Sequence, residues 1–199
     1  CKLANEHCDV ITASARSYVL QAAYFMLKDE YTAKLEQLNK ELAATPVGKF
    51  DGHKILVSGI TYNMPGILKA LDDNKLAIAA DDVAYESRSF AKDAPEDLDN
   101  GLQALAVQFG RQDNDVILYD PDYAKDARSE HVCKLAEESG AEGVVVFMMQ
   151  FCDPEEMEYP DLKKALNKHH IPQIKVGVDQ QTRDFGQAQT ALEAFAESL

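Results

Sequence analysis

The run Gly143-Val144-Val145-Val146-Phe147-Met148-Met149-Gln150-Phe151 stops abruptly at Cys152-Asp153-Pro154. Few architectures accept such a stretch. It reads as a strand buried on both faces, because nothing polar interrupts it until its last residues. Gly140 and Gly143 punctuate its start, and Pro154 suits the first turn of a following helix. The strand therefore delivers a thiol to the rim of a sheet. In open parallel sheets that rim, at the carboxyl ends of the strands, is where ligands bind. A cysteine there serves as a metal ligand, as a nucleophile, or as a small buried residue.

The same alternation of apolar run and helical pattern recurs along the chain. Lys54 to Gly59 reads as a strand, Pro65 to Leu71 as a helix, and Leu76 to Ala80 as a second strand ending in Asp81-Asp82. A helix over Leu98 to Phe109 follows. A third strand, Val116 to Tyr119, ends in Asp120-Pro121, and the segment 122 to 139 is again helical. After the 143 to 151 strand, Pro154 to His169 is a helix that Pro160 interrupts early. Gln173 to Val178 is the last strand, ending in Asp179-Gln180, and a final helix carries Phe185, Ala188, Leu192 and Phe195. This rhythm predicts a doubly wound, mostly parallel α/β sheet of about five strands. Before it, residues 1 to 48 form an N-terminal helical segment. Tyr18, Ala22, Phe25 and Met26 share one helical face there, and Tyr31, Leu35, Leu38 and Leu42 another. Thr45-Pro46-Val47-Gly48 breaks that pattern, and the α/β domain covers 49 to 199.

Charge narrows the partners. With 34 acidic against 20 basic residues, the net charge of -14 argues against nucleic acid or an anionic membrane surface. No run approaches a transmembrane span and no signal peptide is visible. The four cysteines, Cys1, Cys8, Cys133 and Cys152, form neither a CxxC pair nor a secreted disulfide pattern, which favours a reduced, cytoplasmic setting. The start at Cys1, without an initiator methionine, suggests a processed or truncated polypeptide whose first 48 residues are the remnant of, or linker from, an N-terminal domain.

In such a sheet the strand ends converge. They would present Ser58, Gly59 and Tyr62, then Asp81, Asp82, Glu86, Ser87 and Arg88, then Asp120, then Cys152 and Asp153, then Asp179 and Gln180. Gly59 would let a ligand approach the backbone. The bland alternatives are specific too. The aspartates also read as helix caps and Arg88 as the ion-pair partner of one of them. Cys133 sits inside a helix, and His169-His170 sits at a helix end, where imidazole favours the dipole. No Walker loop, GxGxxG or Ser–His–Asp order is present. Composition and spacing alone stop at an α/β domain with an acidic, cysteine-bearing crevice.

Three stretches carry a resemblance further: Lys54 to Ile60, Ala79 to Phe90, and Met148-Met149-Gln150-Phe151-Cys152-Asp153-Pro154-Glu155-Glu156. With Val178 to Thr182, Gln187 to Glu197 and Tyr24 to Thr32, they resemble the 2-hydroxyacyl-CoA dehydratase family, in order and over nearly the whole chain. The resemblance is closest to the C-terminal portion of the smaller, beta-type subunit. It implies syn-elimination of water from an (R)-2-hydroxyacyl-CoA to the 2-enoyl-CoA, in anaerobic amino-acid fermentation. An ATP-hydrolysing iron–sulfur activator would supply one electron, making a ketyl radical that acidifies the β proton. The family's subunits hold a [4Fe-4S] cluster by three cysteines, the last of which matches Cys152. The other two lie in an N-terminal domain, so this chain alone should hold the cluster poorly and be inactive. The implied partners are an alpha-type subunit, the activator and an acyl-CoA. Asp81, Asp82, Glu86, Arg88, Asp153 and Gln180 become neighbours without an assigned role, and no catalytic residue is assigned. Ala91 and Gln189 stand where the family tends to have arginines. A benzoyl-CoA-reductase-like subunit and a non-enzymatic ligand- or partner-binding module are the alternatives.

Overall fold

The computed structural model describes residues 1–111, 127–179 and 181–199. Helices α1 (Lys2–Glu6), α2 (Ala13–Ala22) and α3 (Lys28–Ala44) precede the sheet. Strand β1 (His53–Gly59), helix α4 (Pro65–Asp73) and strand β2 (Leu76–Val83) follow, then a short 3-10 turn (Ser87–Phe90) and helices α5 (Gly101–Gly110) and α6 (Ala127–Ser139). The chain continues through β3 (Gly143–Met149), α7 (Asp153–Lys168), β4 (Gln173–Val178) and α8 (Gly186–Ser198).

The described sheet has four strands in the order β2-β1-β3-β4, every neighbouring pair parallel. The sequence reading expected about five; its third strand, Val116 to Tyr119 with Asp120, lies outside the described residues, as does Gln180. From β1 the chain first adds β2 on one side, then returns to add β3 and β4 on the other. The reversal falls between β1 and β3, whose carboxyl ends are therefore the topological switch point of the described sheet.

Both faces are covered, which is why β1 and β3 are near-continuously apolar. On one face Ile55, Val57, Val145, Phe147 and Val176 pack under α4 and α8, with Ile67, Leu68, Leu71, Leu192 and Phe195. On the other, Leu56, Val144, Val146 and Met148 meet Val132, Cys133, Ala136, Leu162 and Leu166 of α6 and α7. Each of the Val, Leu, Ile, Phe and Met side chains among them stabilises the fold by about 1.5–3 kcal/mol on burial. Gly59 does not open the backbone to a ligand as the sequence suggested. Its φ is +142° and a Cβ there would lie 2.3 Å from the Phe147 carbonyl oxygen, so close strand packing demands the glycine.

Three helical expectations change. In α2 the buried stripe is Ala13, Arg16, Ser17 and Leu20, not the face of Tyr18, Ala22, Phe25 and Met26. The helix ends at Ala22, and a buried arginine, rather than an apolar ridge, fixes its inner side. Helix α7 runs unbroken through Pro160. The N-terminal half of the Leu98-to-Phe109 expectation shifts too: the Asn100 side chain accepts from the Leu102 and Gln103 amides, so α5 starts at Gly101. Across the chain, α1 and α2 pack on β2, and α2 on α4.

Candidate functional site at the strand ends

Strand β2 carries two consecutive aspartates that point to opposite faces. Alternation alone puts neighbours on opposite faces, and an irregularity decides which aspartate takes which: Ile55 pairs with Ile78 but Leu56 with Ala80, so Ala79 is the extra residue of a bulge. Asp81 then shares the face of Ile78, and Asp82 that of Ala80.

Asp81 meets Arg16 of α2, which is only 2% exposed. Arg16 also donates to Glu86, to Asn5 Oδ1 at 2.7 Å and to the Tyr62 hydroxyl at 3.4 Å. That hydroxyl donates to Glu86 Oε2 at 2.9 Å, and the Tyr62 ring stacks on Phe147 at 5.2 Å. Asp81 Oδ1 accepts from the Ser87 amide at 3.0 Å. Burial works against the charge on Arg16, but Asp81, Tyr62 and Glu86 outweigh it and raise its pKa. Burial pushes Glu86 up, against the pull of Arg16. It pushes the Tyr62 phenol well up, which keeps that hydroxyl a donor.

Asp82, 1% exposed, meets Arg128 of α6: Oδ2 lies 3.2 Å from Nε and 3.1 Å from Nη2. Ser58 donates to the same oxygen at 3.0 Å and accepts from Arg128 Nη2 at 2.9 Å. Arg128 reaches on to Glu158 of α7. Burial opposes the Arg128 charge, while Asp82 and then Glu158 raise its pKa. Arg88 places Nε 3.3 Å from Asp82 Oδ1, and its Nη2 donates to the carbonyl of Gly59 at 2.7 Å. Asp81, Asp82 and Glu86 are thus buried ion-pair partners rather than open crevice walls, and Asp81 also satisfies the amide that opens the 3-10 turn. Arg88 does pair with an aspartate.

Cys152 sits at the carboxyl end of central strand β3, at the switch point. The Met149 carbonyl accepts from the Cys152 amide at 3.2 Å, and the Gln150 amide donates to Val178 at 2.9 Å. Between them Phe151 adopts φ +65° and is 94% exposed. Cys152 is half-buried and precedes α7, whose first turn holds Asp153, exposed, with Glu155 and Glu156. Acidic side chains suit that positive end of the helix dipole. Glu155 is 3% exposed, and its Oε2 accepts from the Met149 amide at 3.3 Å. Burial raises its pKa, opposed by that amide and by Arg128 and Arg88. Just past β4, Asp179 accepts from the Gln181 amide at 2.9 Å.

The other cysteines lie elsewhere. Cys133 is in the core, Cys1 is exposed, and the buried Cys8 thiol donates to the Asn5 carbonyl, its pKa raised by burial. Among the described residues no three His, Cys, Asp or Glu side chains assemble a metal site. As a thiolate, Cys152 suits an iron–sulfur group as one ligand among several; the remaining ligands would have to come from other residues. An open depression of about 480 Å³ occupies the opposite, amino edge, lined by Asp51, His53, Lys75, Glu193 and Glu197, and touches none of these groups.

Sequence reasoning missed Arg16, Arg128, Glu155 and Glu158. The signal for the arginines was present: each falls in register with a buried stripe, Arg16 with Ala13 and Leu20, Arg128 with Val132 and Ala136.

Fold and site together define a doubly wound parallel α/β domain with buried arginine–aspartate pairs on both faces and a thiol at its switch point. The chain belongs to the 2-hydroxyglutaryl-CoA dehydratase D-component family, whose model matches residues 1–199, and within it is of the beta-subunit type. It is 82% identical over 199 residues to (R)-2-hydroxyglutaryl-CoA dehydratase subunit beta of Acidaminococcus fermentans, covering 100% of this chain and 52% of that protein. Identity is 37% to the (R)-phenyllactyl-CoA dehydratase beta subunit of Clostridium sporogenes, over 99% of this chain and 51% of that one. It is 33% to lactoyl-CoA dehydratase subunit beta of Anaerotignum propionicum, over 100% and 52%. The chain thus spans about half the length of the curated relatives it matches.

Proposed function

We propose that this chain forms part of the beta-type subunit of an (R)-2-hydroxyacyl-CoA dehydratase, which removes water from its substrate to give the 2-enoyl-CoA. The observation that carries the reading is the 82% identity to the Acidaminococcus fermentans beta subunit over every residue of the chain. The cytoplasm is its setting, and among the described residues no helix is long and apolar enough to cross a membrane. Its partners are an alpha-type subunit, which binds the acyl-CoA, and an ATP-dependent iron–sulfur activator.

Within that assembly Cys152 is one thiolate ligand of a [4Fe-4S] cluster. When bound, such a cluster supplies one-electron transfer at a potential set by its surroundings. The chain's own residues do the holding. The turn 149–152 presents the thiol, and α7 places its amino end beside it. The paired Asp81, Asp82, Glu86 and Arg88 keep the carboxyl ends of β1 and β2 rigid next to it. Their ion pairs make them supports rather than acid–base groups.

Cys152→Ser in the native complex tests this. We expect the complex to lose the share of iron held by this subunit while the melting temperature falls only modestly, since an unsatisfied buried hydroxyl costs about 1–3 kcal/mol. ATP-dependent dehydration should fail while the activator's own ATPase persists. Full iron with only a lowered melting temperature would return Cys152 to a packing role. Turnover of an aromatic acyl-CoA instead of a 2-hydroxyacyl-CoA would move the chain to the reductase branch.

A further inference from the structure

We infer that Glu155 is a positioning residue for Cys152, clamping the first turn of α7 back onto the end of β3; the inference rests on the reading of Cys152 as a cluster ligand. Glu155 is a buried carboxylate that the proposed reaction does not otherwise use. A buried acid without a task is disfavoured, because desolvation penalises its charge.

Its one hydrogen bond within the described structure explains why it is there. Oε2 accepts from the Met149 amide at 3.3 Å, six residues back along the chain. That amide belongs to the last residue of β3, and Met149 is also the residue whose carbonyl accepts from the Cys152 amide at 3.2 Å. One end of the clamp therefore holds Met149 and the other sits one helical turn beyond Cys152. The loop between them, Gln150-Phe151-Cys152, is closed from both sides.

The loop needs closing. Phe151 holds φ +65°, a conformation that side chains other than glycine rarely adopt, and its exposed ring finds little packing in this chain to fix it. Left to itself the turn would relax to an extended backbone at Phe151, and the Cys152 thiol would turn with it. Burial raises the Glu155 pKa, and the charges of Arg128 and Arg88 pull against it toward the ionised carboxylate. Arg128 also pairs with Asp82, so the clamp feels the charge of the network beneath the switch point.

The test uses the native complex with three variants. Glu155→Ala removes the acceptor. Glu155→Gln keeps an acceptor oxygen at the same reach but no charge. Leu162→Ala, in the core under α7, serves as a control that destabilises without touching the loop. We expect Glu155→Ala to release iron to a chelator roughly tenfold faster than wild type, the usual scale for loss of an outer-shell partner. Its cluster spectrum should broaden or shift. Glu155→Gln should restore both the rate and the spectrum, and Leu162→Ala should lower the melting temperature with an unchanged spectrum. Wild-type release and spectrum in Glu155→Ala would overturn the inference, and so would matching release rates in Glu155→Ala and Leu162→Ala. If Cys152→Ser loses its iron while Glu155→Ala behaves as wild type, the clamp alone fails. If Cys152→Ser keeps its iron, the ligand reading fails and the clamp with it.

Discussion

The two faces of the sheet solve the same problem differently. Each takes one aspartate from the end of β2 and pairs it with an arginine from a covering helix. On the α2 face the cluster is closed: Arg16, Asp81, Glu86 and Tyr62 are all buried and satisfy one another. On the α6 face it is open at one end, because Arg128 runs from buried Asp82 to Glu158, whose side chain is 17% exposed. The closed cluster fastens the N-terminal helices to the sheet. The open one runs toward α7, the helix that begins just after Cys152. Similar chemistry therefore does architectural work on one face and supports the candidate site on the other.

Removing each arginine should break the symmetry most visibly. Arg16→Met leaves Asp81 and Glu86 buried without a countercharge and should lose about 3–5 kcal/mol of unfolding free energy in denaturant. Arg128→Met should lose less, about 1–3 kcal/mol, because Asp82 keeps Arg88 and Ser58 and Glu158 reaches water. Equal losses would mean that the two clusters are equally closed. Tyr62→Phe is finer: it keeps the stack on Phe147 but deletes the hydroxyl that donates to Glu86. A loss of about 1 kcal/mol in the same denaturation assay is expected.

The smallest effect is a slope. Burial raises the Glu155 pKa above its unfolded value, so the folded state binds its proton more tightly. That contribution is fully present below the ordinary glutamate pKa of about 4.3 and is lost as pH rises through the folded value. Glu155→Gln abolishes it. The fall in stability from pH 4 upward should be shallower in the variant than in wild type, read as melting temperature against pH. Parallel curves would show that Glu155 is no more buried in effect than a surface acid.

The architecture was legible because β1 and β3 are short apolar runs with punctuated ends, and edge strand β4, though it alternates, was bounded to the residue as Gln173 to Val178. Hydrophobic patterning also found the inner side of α3, where Leu42 is buried. It failed on α2, because the buried stripe includes Arg16 and Ser17, which a periodicity argument scores as surface. It placed Cys152 at a strand end but could not find Glu155, whose partner is a backbone amide and leaves no mark on residue type. Nor does strict alternation along β2 assign Asp81 and Asp82 to their faces, since counting from Ile78 reverses them.

That reversal makes β2 tolerant of a change that strands usually refuse. Between Ile78 and Ala80 the partner strand advances by one residue while β2 advances by two. Ala79 is therefore a supernumerary position in the ladder. A lineage that lost this single codon would keep Asp81 facing α2 and Asp82 facing α6, with a straighter strand. A single-codon loss at Leu56 or Val57 would instead flip the rest of β1 and take Ser58 away from Asp82 and Arg128. Among relatives of this chain, length differences in this hairpin-free pair of strands should gather at position 79.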